Sequence, residues 1–238
     1  MINYEDSKIK RAIKEFDKVL GRTPIKIGLV YVAKGQMDES QIFRNDDSSS
    51  LYKEFVQSLA ALVDLKTHCG YSAGLEQHKD VGSDLPYYST PWVELAFHEV
   101  VRMPNVDREE SLVMKKRHVG NDLVNLIWSE HELEYQPTTI VSQFTTVHIM
   151  VYPLKNGLFR VQVAQKQKVE PFGPIIHNMV LRKELLGDLC RQTVINATFE
   201  ARGSPFEGPY EQRTKRLTDI FQKGGMEQNF TNIASKIL

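Results

Sequence analysis

The sequence predicts an α/β protein, a single layered domain whose central mixed β-sheet is flanked by helices. Short apolar, β-branched runs bounded by Gly and Pro alternate with segments of helical period along the 238 residues, the pattern of sheet and helices packed in layers. One pair of runs is joined across Lys155-Asn156-Gly157, and Asn-Gly is a strong hairpin signal. A hydrophobic fraction of 41% with 25% charged residues suits a packed soluble domain.

Ile9, Ile13, Phe16, Val19 and Leu20 recur at helical spacing and Gly21 follows as a stop, predicting an amphipathic N-terminal helix. Ile25 to Val32, between Pro24 and Gly35, reads as a buried strand. Ser50 to Leu62 predicts a helix with Leu51, Phe55, Leu59 and Leu62 on one face. Lys66 to Tyr88 is rich in Gly, Ser, Asp and His and predicts a long irregular connection around one short strand. Trp92 to Met103 fits strand or helix by periodicity; Val93, Phe97, Val100 and Val101 favour strand. Asp107 to His118 reads as a charged helix with Leu112 and Val113 inward, and Leu123 to Trp128 as a central strand. The hairpin Val147 to Pro153 and Leu158 to Gln165 follows. Leu181 to Ala201 and Tyr210 to Gln222 predict helices, and a short one closes the chain at Asn229 to Ile237. The expected division is an N-terminal helix packed on the domain over residues 1–24, the main domain over 25–222 and a tail over 223–238.

Lys plus Arg and Asp plus Glu each number 30, so no net field steers the chain to nucleic acid or an anionic membrane. Two cysteines, Cys69 and Cys190, make a disulfide framework improbable and suit a reducing compartment. Met1 to Lys18 is charged throughout with no apolar leader, and no later stretch approaches a membrane span. These features predict a cytoplasmic protein that does not insert into membranes.

The densest polar feature is Lys115-Lys116-Arg117-His118-Val119-Gly120-Asn121-Asp122, which runs straight into the apolar Leu123 to Trp128. A carboxamide is no base or nucleophile near neutral pH, yet its carbonyl accepts and its NH2 donates, so Asn121 suits the orienting of a water molecule. Gly and Asn also end helices for conformational reasons, and spacing alone favours that plainer reading. Gly70-Tyr71-Ser72-Ala73-Gly74 fits the pattern of a serine hydrolase elbow with Ser72 as nucleophile, but the polar Glu76 to Asp84 is a poor sequel to it. The seven histidines lack metal-ligand spacing, and neither Gly28 nor Gly35 begins a phosphate loop, so no metal or nucleotide of the chain's own is expected.

Lys116 to Val124 resembles the signature of the Rap/Ran-type GTPase-activating domain. The likeness extends to Lys26-Ile27-Gly28-Leu29-Val30-Tyr31 with Gly35-Gln36, to Phe55 to Leu65, to Gly70 with Gly74-Leu75, and to Phe97-His98 with Met103-Pro104. Ile127-Trp128-Ser129-Glu130-His131, Tyr152-Pro153-Leu154-Lys155-Asn156, Pro171-Phe172-Gly173-Pro174 and Ile195-Asn196-Ala197 are most similar to the branch containing the Ral alpha subunits, with tuberin and the Rap activators further off. The resemblance runs from about Lys26 to about Phe221. It implies a domain that stimulates GTP hydrolysis by a Ras-superfamily small GTPase in its GTP form, Ral first and Rap or Rheb next. It implies too that Asn121 is a water-positioning thumb acting in trans on GTP and Mg2+ that the partner carries, without a cofactor of its own. Lys116, Arg117, His118 and Asp122 then contact the GTPase or support the thumb, with no arginine finger needed. Lys115 and Lys116 are expected to be solvated and Arg213 to be structural. A regulatory beta subunit or other members of a large complex are the further partners implied. The rival from another class is an effector or scaffold module that binds the GTP form without accelerating hydrolysis.

Overall fold

A computed structural model describes residues 6–75, 82–105, 108–166, 169–203 and 208–223. The elements in chain order are α1 (Ser7–Asp17), β1 (Thr23–Val32), α2 (Glu39–Phe43), α3 (Ser50–Leu59), β2 (Ala61–Asp64), β3 (Asp84–Ser89) and β4 (Val93–Glu99). There follow α4 (Arg108–Gly120), β5 (Val124–Ser129), β6 (Val147–Pro153), β7 (Phe159–Gln165), β8 (Met179–Leu181), α5 (Lys183–Arg202) and α6 (Pro209–Lys223). The strands make one eight-stranded mixed sheet in the order β2-β3-β4-β1-β5-β6-β7-β8. β1, β5 and β6 run parallel, and the β6–β7 hairpin is antiparallel about the left-handed Gly157 (φ 77°).

α1 and α6 make up one compact unit, and residues 24–206, with the sheet, form the other. Within the first, the Arg213 guanidinium lies 4.1 Å over the Phe16 ring and donates to the Val19 carbonyl at 2.9 Å. Arg213 is therefore a structural tie between its two helices, as expected.

Two-residue alternation explains how the sheet is covered on both faces. Ile25, Ile27, Leu29 and Tyr31 of β1 point with Val124, Leu126 and Trp128 of β5 into a core closed by Phe55 and Leu59 of α3 and by Leu186 and Val194 of α5. Val30 and Val32, with Ile127 and Met150, face the other way against Ile42 and Phe43 of α2 and Val119 of α4. Parallel strands buried on both sides need such double cover.

Several sequence expectations shift. The helix starting at Ser50, capped by Ser49 onto the Tyr52 amide at 3.1 Å, stops at Leu59 because Ala60 turns extended (φ −158°). Leu62 therefore sits in β2, exposed, and not on the inner face of a helix. Val113 is also outward, 69% exposed. α4 buries Ser111, Lys115, His118 and Val119 instead, a helical stripe that is mostly polar and so carries no hydrophobic signature. α2 and β8 had no distinct sequence signal. The expected helix at 229–237 lies outside the described residues.

Candidate functional site

The site is built where α4 runs out and the chain enters β5, an interior strand of the sheet. Arg117 and His118 occupy the last turn of α4, where the Arg117 cation complements the helix dipole. The Asn121 amide still bonds back to the His118 carbonyl at 3.2 Å, and that of Asp122 to Val119 at 3.2 Å, so the helix closes with a tightened turn. The next residues pair with parallel neighbours on both sides, Gly28 with Asn125 and Val124 with Val147.

Consecutive residues point in opposite directions here. Asn121 is exposed, and its carboxamide makes no hydrogen bond to a described residue. Asp122 is fully enclosed. Its Oδ2 meets His98 Nδ1 at 2.7 Å, its Oδ1 has Lys26 Nζ at 3.6 Å, and its carbonyl accepts from Thr145 Oγ1 at 2.9 Å. Taking a carboxylate out of water is tolerable only with such partners. His98 lies on β4 and faces the same side as Lys26 of β1. Its Nε2 stands 3.3 Å from the carbonyl of Ala73, a residue with left-handed backbone (φ 56°). The His118 ring, also buried, packs at 4.9 Å on that of His98.

A second clip acts from the far side. Ser142 Oγ donates to the Gly120 carbonyl at 2.6 Å and accepts from the Phe144 and Thr145 amides, fastening the loop before β6 to the end of α4. Beneath the junction, Gly28 leaves room for Asn125. A Cβ there would stand 2.2 Å from Asn125 Oδ1 and 3.1 Å from Val119 Cγ1.

The sequence-predicted residues thus separate by role. Asn121 and Arg117 are exposed together at the tip, and Arg117 makes no ion pair among the described residues. Lys116 is exposed and pairs with Glu39 of α2 at 2.7 Å. His118 and Asp122 are turned inward and buried. Lys115 corrects the expectation of a solvated side chain: it is fully enclosed, its Nζ donates to the Phe43 carbonyl at the end of α2 at 2.9 Å, and burial lowers its pKa from 10.5 to about 8. The charge of Asp46 opposes that fall. Sequence reasoning assigned no role to His98, Lys26, Thr145 or Ser142. Parity along β4 would have set His98 opposite Phe97, but facing Asp122 depends on the strand order.

The hydrolase alternative at Ser72 fails on its context. β2 ends at Asp64, well before Ser72, so no strand leads into an elbow at the hydroxyl, and the expected sequel at 76–81 lies outside the described residues. Among the described residues no cluster of three His, Cys, Asp or Glu side chains forms a metal site, and no helix is long and apolar enough to cross a membrane.

Comparison with known proteins places this geometry. The Rap/ran-GAP family model matches residues 42–219. The chain is 38% identical over 97% of its length to a probable Rho GTPase-activating protein of Drosophila melanogaster. It is 36% identical over 98% of its length to the Ral GTPase-activating protein subunit alpha-2 of Mus musculus. In each case it spans about 12% of the relative's length. Among solved structures, that of the TSC2 GAP domain superposes with a TM-score of 0.70 at 26% identity, covering 75% of this chain and 97% of that one.

Proposed function

The chain belongs to the Rap/Ran-GAP family, and from that premise we propose that it stimulates GTP hydrolysis by a Ras-superfamily small GTPase, with Asn121 as the residue supplied in trans. The observation that carries the reading is the opposition at the end of α4: an exposed carboxamide with no hydrogen-bond partner among the described residues, beside a carboxylate locked into the sheet face. A side chain held by its neighbour but not by itself is ready to meet a second molecule.

Hydrolysis of GTP requires water in line with the bond between the γ-phosphorus and the bridging oxygen, together with donors to the developing charge. Water attacks the γ-phosphorus as the bond to the β-phosphate oxygen breaks. The Asn121 carbonyl accepts a hydrogen bond from that water, and its NH2 group donates toward a phosphate oxygen. GTP and Mg2+ belong to the GTPase, and the nucleophile's proton leaves to the phosphate or solvent, since a carboxamide does not take it. Activators that complete a GTPase site add roughly three to five orders of magnitude. Arg117, one turn before Asn121, and the exposed apolar side chains of Val113 in α4 and Phe144 in the loop clipped to its end suit a protein partner's surface.

Ral is the first substrate to assay, with Rap and Rheb next, because Ral subunits are among the relatives that match nearly all of this chain. A cytoplasmic site of action and assembly with a regulatory beta subunit belong to the same proposal. The decisive experiment is single-turnover hydrolysis by each GTP-loaded GTPase at saturating activator. Asn121→Ala should lose at least about tenfold in stimulated rate while still binding the GTP form. Unaltered stimulation by this variant would remove the thumb, and binding of a GTPase without any acceleration by the wild-type chain would make it an effector module.

A further inference from the structure

We propose that His98 is a positioning residue for the thumb, acting through Asp122 and linking the thumb to the loop at Ala73 and Gly74. The inference rests on the proposed role of Asn121.

The geometry of the backbone around residue 121 is set by its neighbours, because its own side chain bonds to no described residue. On the helix side, the Gly120 carbonyl is tied by Ser142. On the strand side, the backbone direction is set by Asp122, whose side chain and carbonyl are both bonded. Of the two side chains that meet the Asp122 carboxylate, Lys26 stands farther away at 3.6 Å and is partly exposed, while His98 is 1% exposed and approaches to 2.7 Å. His98 is therefore the stiffer of the two supports.

His98 also has a second engagement. With Nδ1 on Asp122 and Nε2 facing the Ala73 carbonyl, the ring spans from the thumb to a loop whose Ala73 and Gly74 both take left-handed backbone (φ 56° and 87°). Loop and thumb are far apart in sequence but share one imidazole. His118, whose ring packs tilted against the same ring at 4.9 Å, closes the support from α4. In a reaction where misplacing a reacting group by about 1 Å costs up to about a hundredfold, such a brace affects turnover more than encounter.

Two amide substitutions separate the two ends of the ring. The side-chain nitrogen of Asn falls near the position of Nδ1 and that of Gln near Nε2, so His98→Asn keeps a donor toward Asp122 and His98→Gln keeps one toward Ala73. The assay is stimulated single-turnover hydrolysis as a function of activator concentration, with whichever of GTP-loaded Ral, Rap or Rheb the wild-type chain stimulates most. His98→Gln and His98→Ala should lose about tenfold in maximal rate, with the half-saturating concentration within about twofold, while His98→Asn stays within about threefold of wild type. In an Asn121→Ala background His98→Gln should cost nothing further, since a brace acts only through what it braces. A wild-type maximal rate for His98→Gln, equal damage from Asn and Gln, a loss confined to half-saturation, or full additivity with Asn121→Ala would each overturn the brace. Should Asn121→Ala itself keep full stimulation, the thumb falls and the brace with it; a damaged Asn121→Ala beside an intact His98→Gln condemns the brace alone. If His98→Gln melts early, Thr145→Val replaces it, keeping shape but losing the hydroxyl on the Asp122 carbonyl. A loss of about threefold in maximal rate is then expected, and an unchanged rate overturns the proposal.

Discussion

Lys115 is a buried amine in the helix that ends at the candidate thumb, and replacing it with Met has a calculable effect. The side chain is fully enclosed and its pKa is lowered from 10.5 to about 8 by burial. Between those two values the unfolded chain holds a proton that the folded chain has released, so stability rises with pH across that window and is lower by the full amount below pH 8. A depression of this size corresponds to about 3 kcal/mol at the acidic limit, and to about 2 kcal/mol between pH 7 and 9.5. Lys115→Met removes that dependence and also the hydrogen bond to the Phe43 carbonyl, whose loss costs about 1 kcal/mol at every pH. Urea unfolding of both proteins at pH 7 and 9.5 isolates the amine in the difference between them. The groups that oppose it as pH rises, the Cys190 thiol and the buried tyrosines whose pKa values burial raises, are common to both. The wild type should gain about 2 kcal/mol relative to Lys115→Met over this range. A difference independent of pH would refute the reasoning, and would mean that the ammonium keeps its charge at no cost.

Three further outcomes follow from the same structure. Gly28→Ala drives a methyl group to 2.2 Å from Asn125 Oδ1; it should cost about 1–3 kcal/mol in urea unfolding and lower stimulated turnover, since it also presses on Val119 in the last turn of α4 before Asn121. His148, buried and beside Lys166, has its pKa pushed down to about 4, so unfolding takes up a proton that folding excludes. Stability should then fall by about 2 kcal/mol from pH 7 to 4.5, and His148→Leu should flatten that acid limb in thermal melts. Arg213→Ala removes both the ring contact with Phe16 and the bond to the Val19 carbonyl. About 1–2 kcal/mol should be lost locally, read as faster amide exchange in α1 and α6 with the protection of the sheet unchanged.

Much of the architecture was legible because it rests on local chemistry. The β-branched run from Ile25, the Asn-Gly turn and the long apolar period of α5 each specify their own conformation, and the structure forms β1, the β6–β7 hairpin and α5 there. Elements that draw their stability from neighbours were not legible. α4 presents a polar stripe to the sheet, so its inward face was misjudged at Val113, and the fate of Leu62 depended on where α3 gave way to β2. The same division runs through the site. Asn121 could be singled out as a carboxamide at a helix-to-strand junction, and resemblance attached the thumb role to it.

What the order of residues determined by itself was therefore the class of fold, the family and the position of the carboxamide, because periodicity, turn chemistry and contiguous motifs are properties of neighbours along the chain. What tertiary structure alone decided was which polar groups gather around Asp122 beside that carboxamide. Asp122, His98, Lys26 and Thr145 come from four separate segments. They converge because β4, β1 and β5 lie side by side. A buried charge needs partners within a few ångströms, and only the closing of the sheet brings those partners to it.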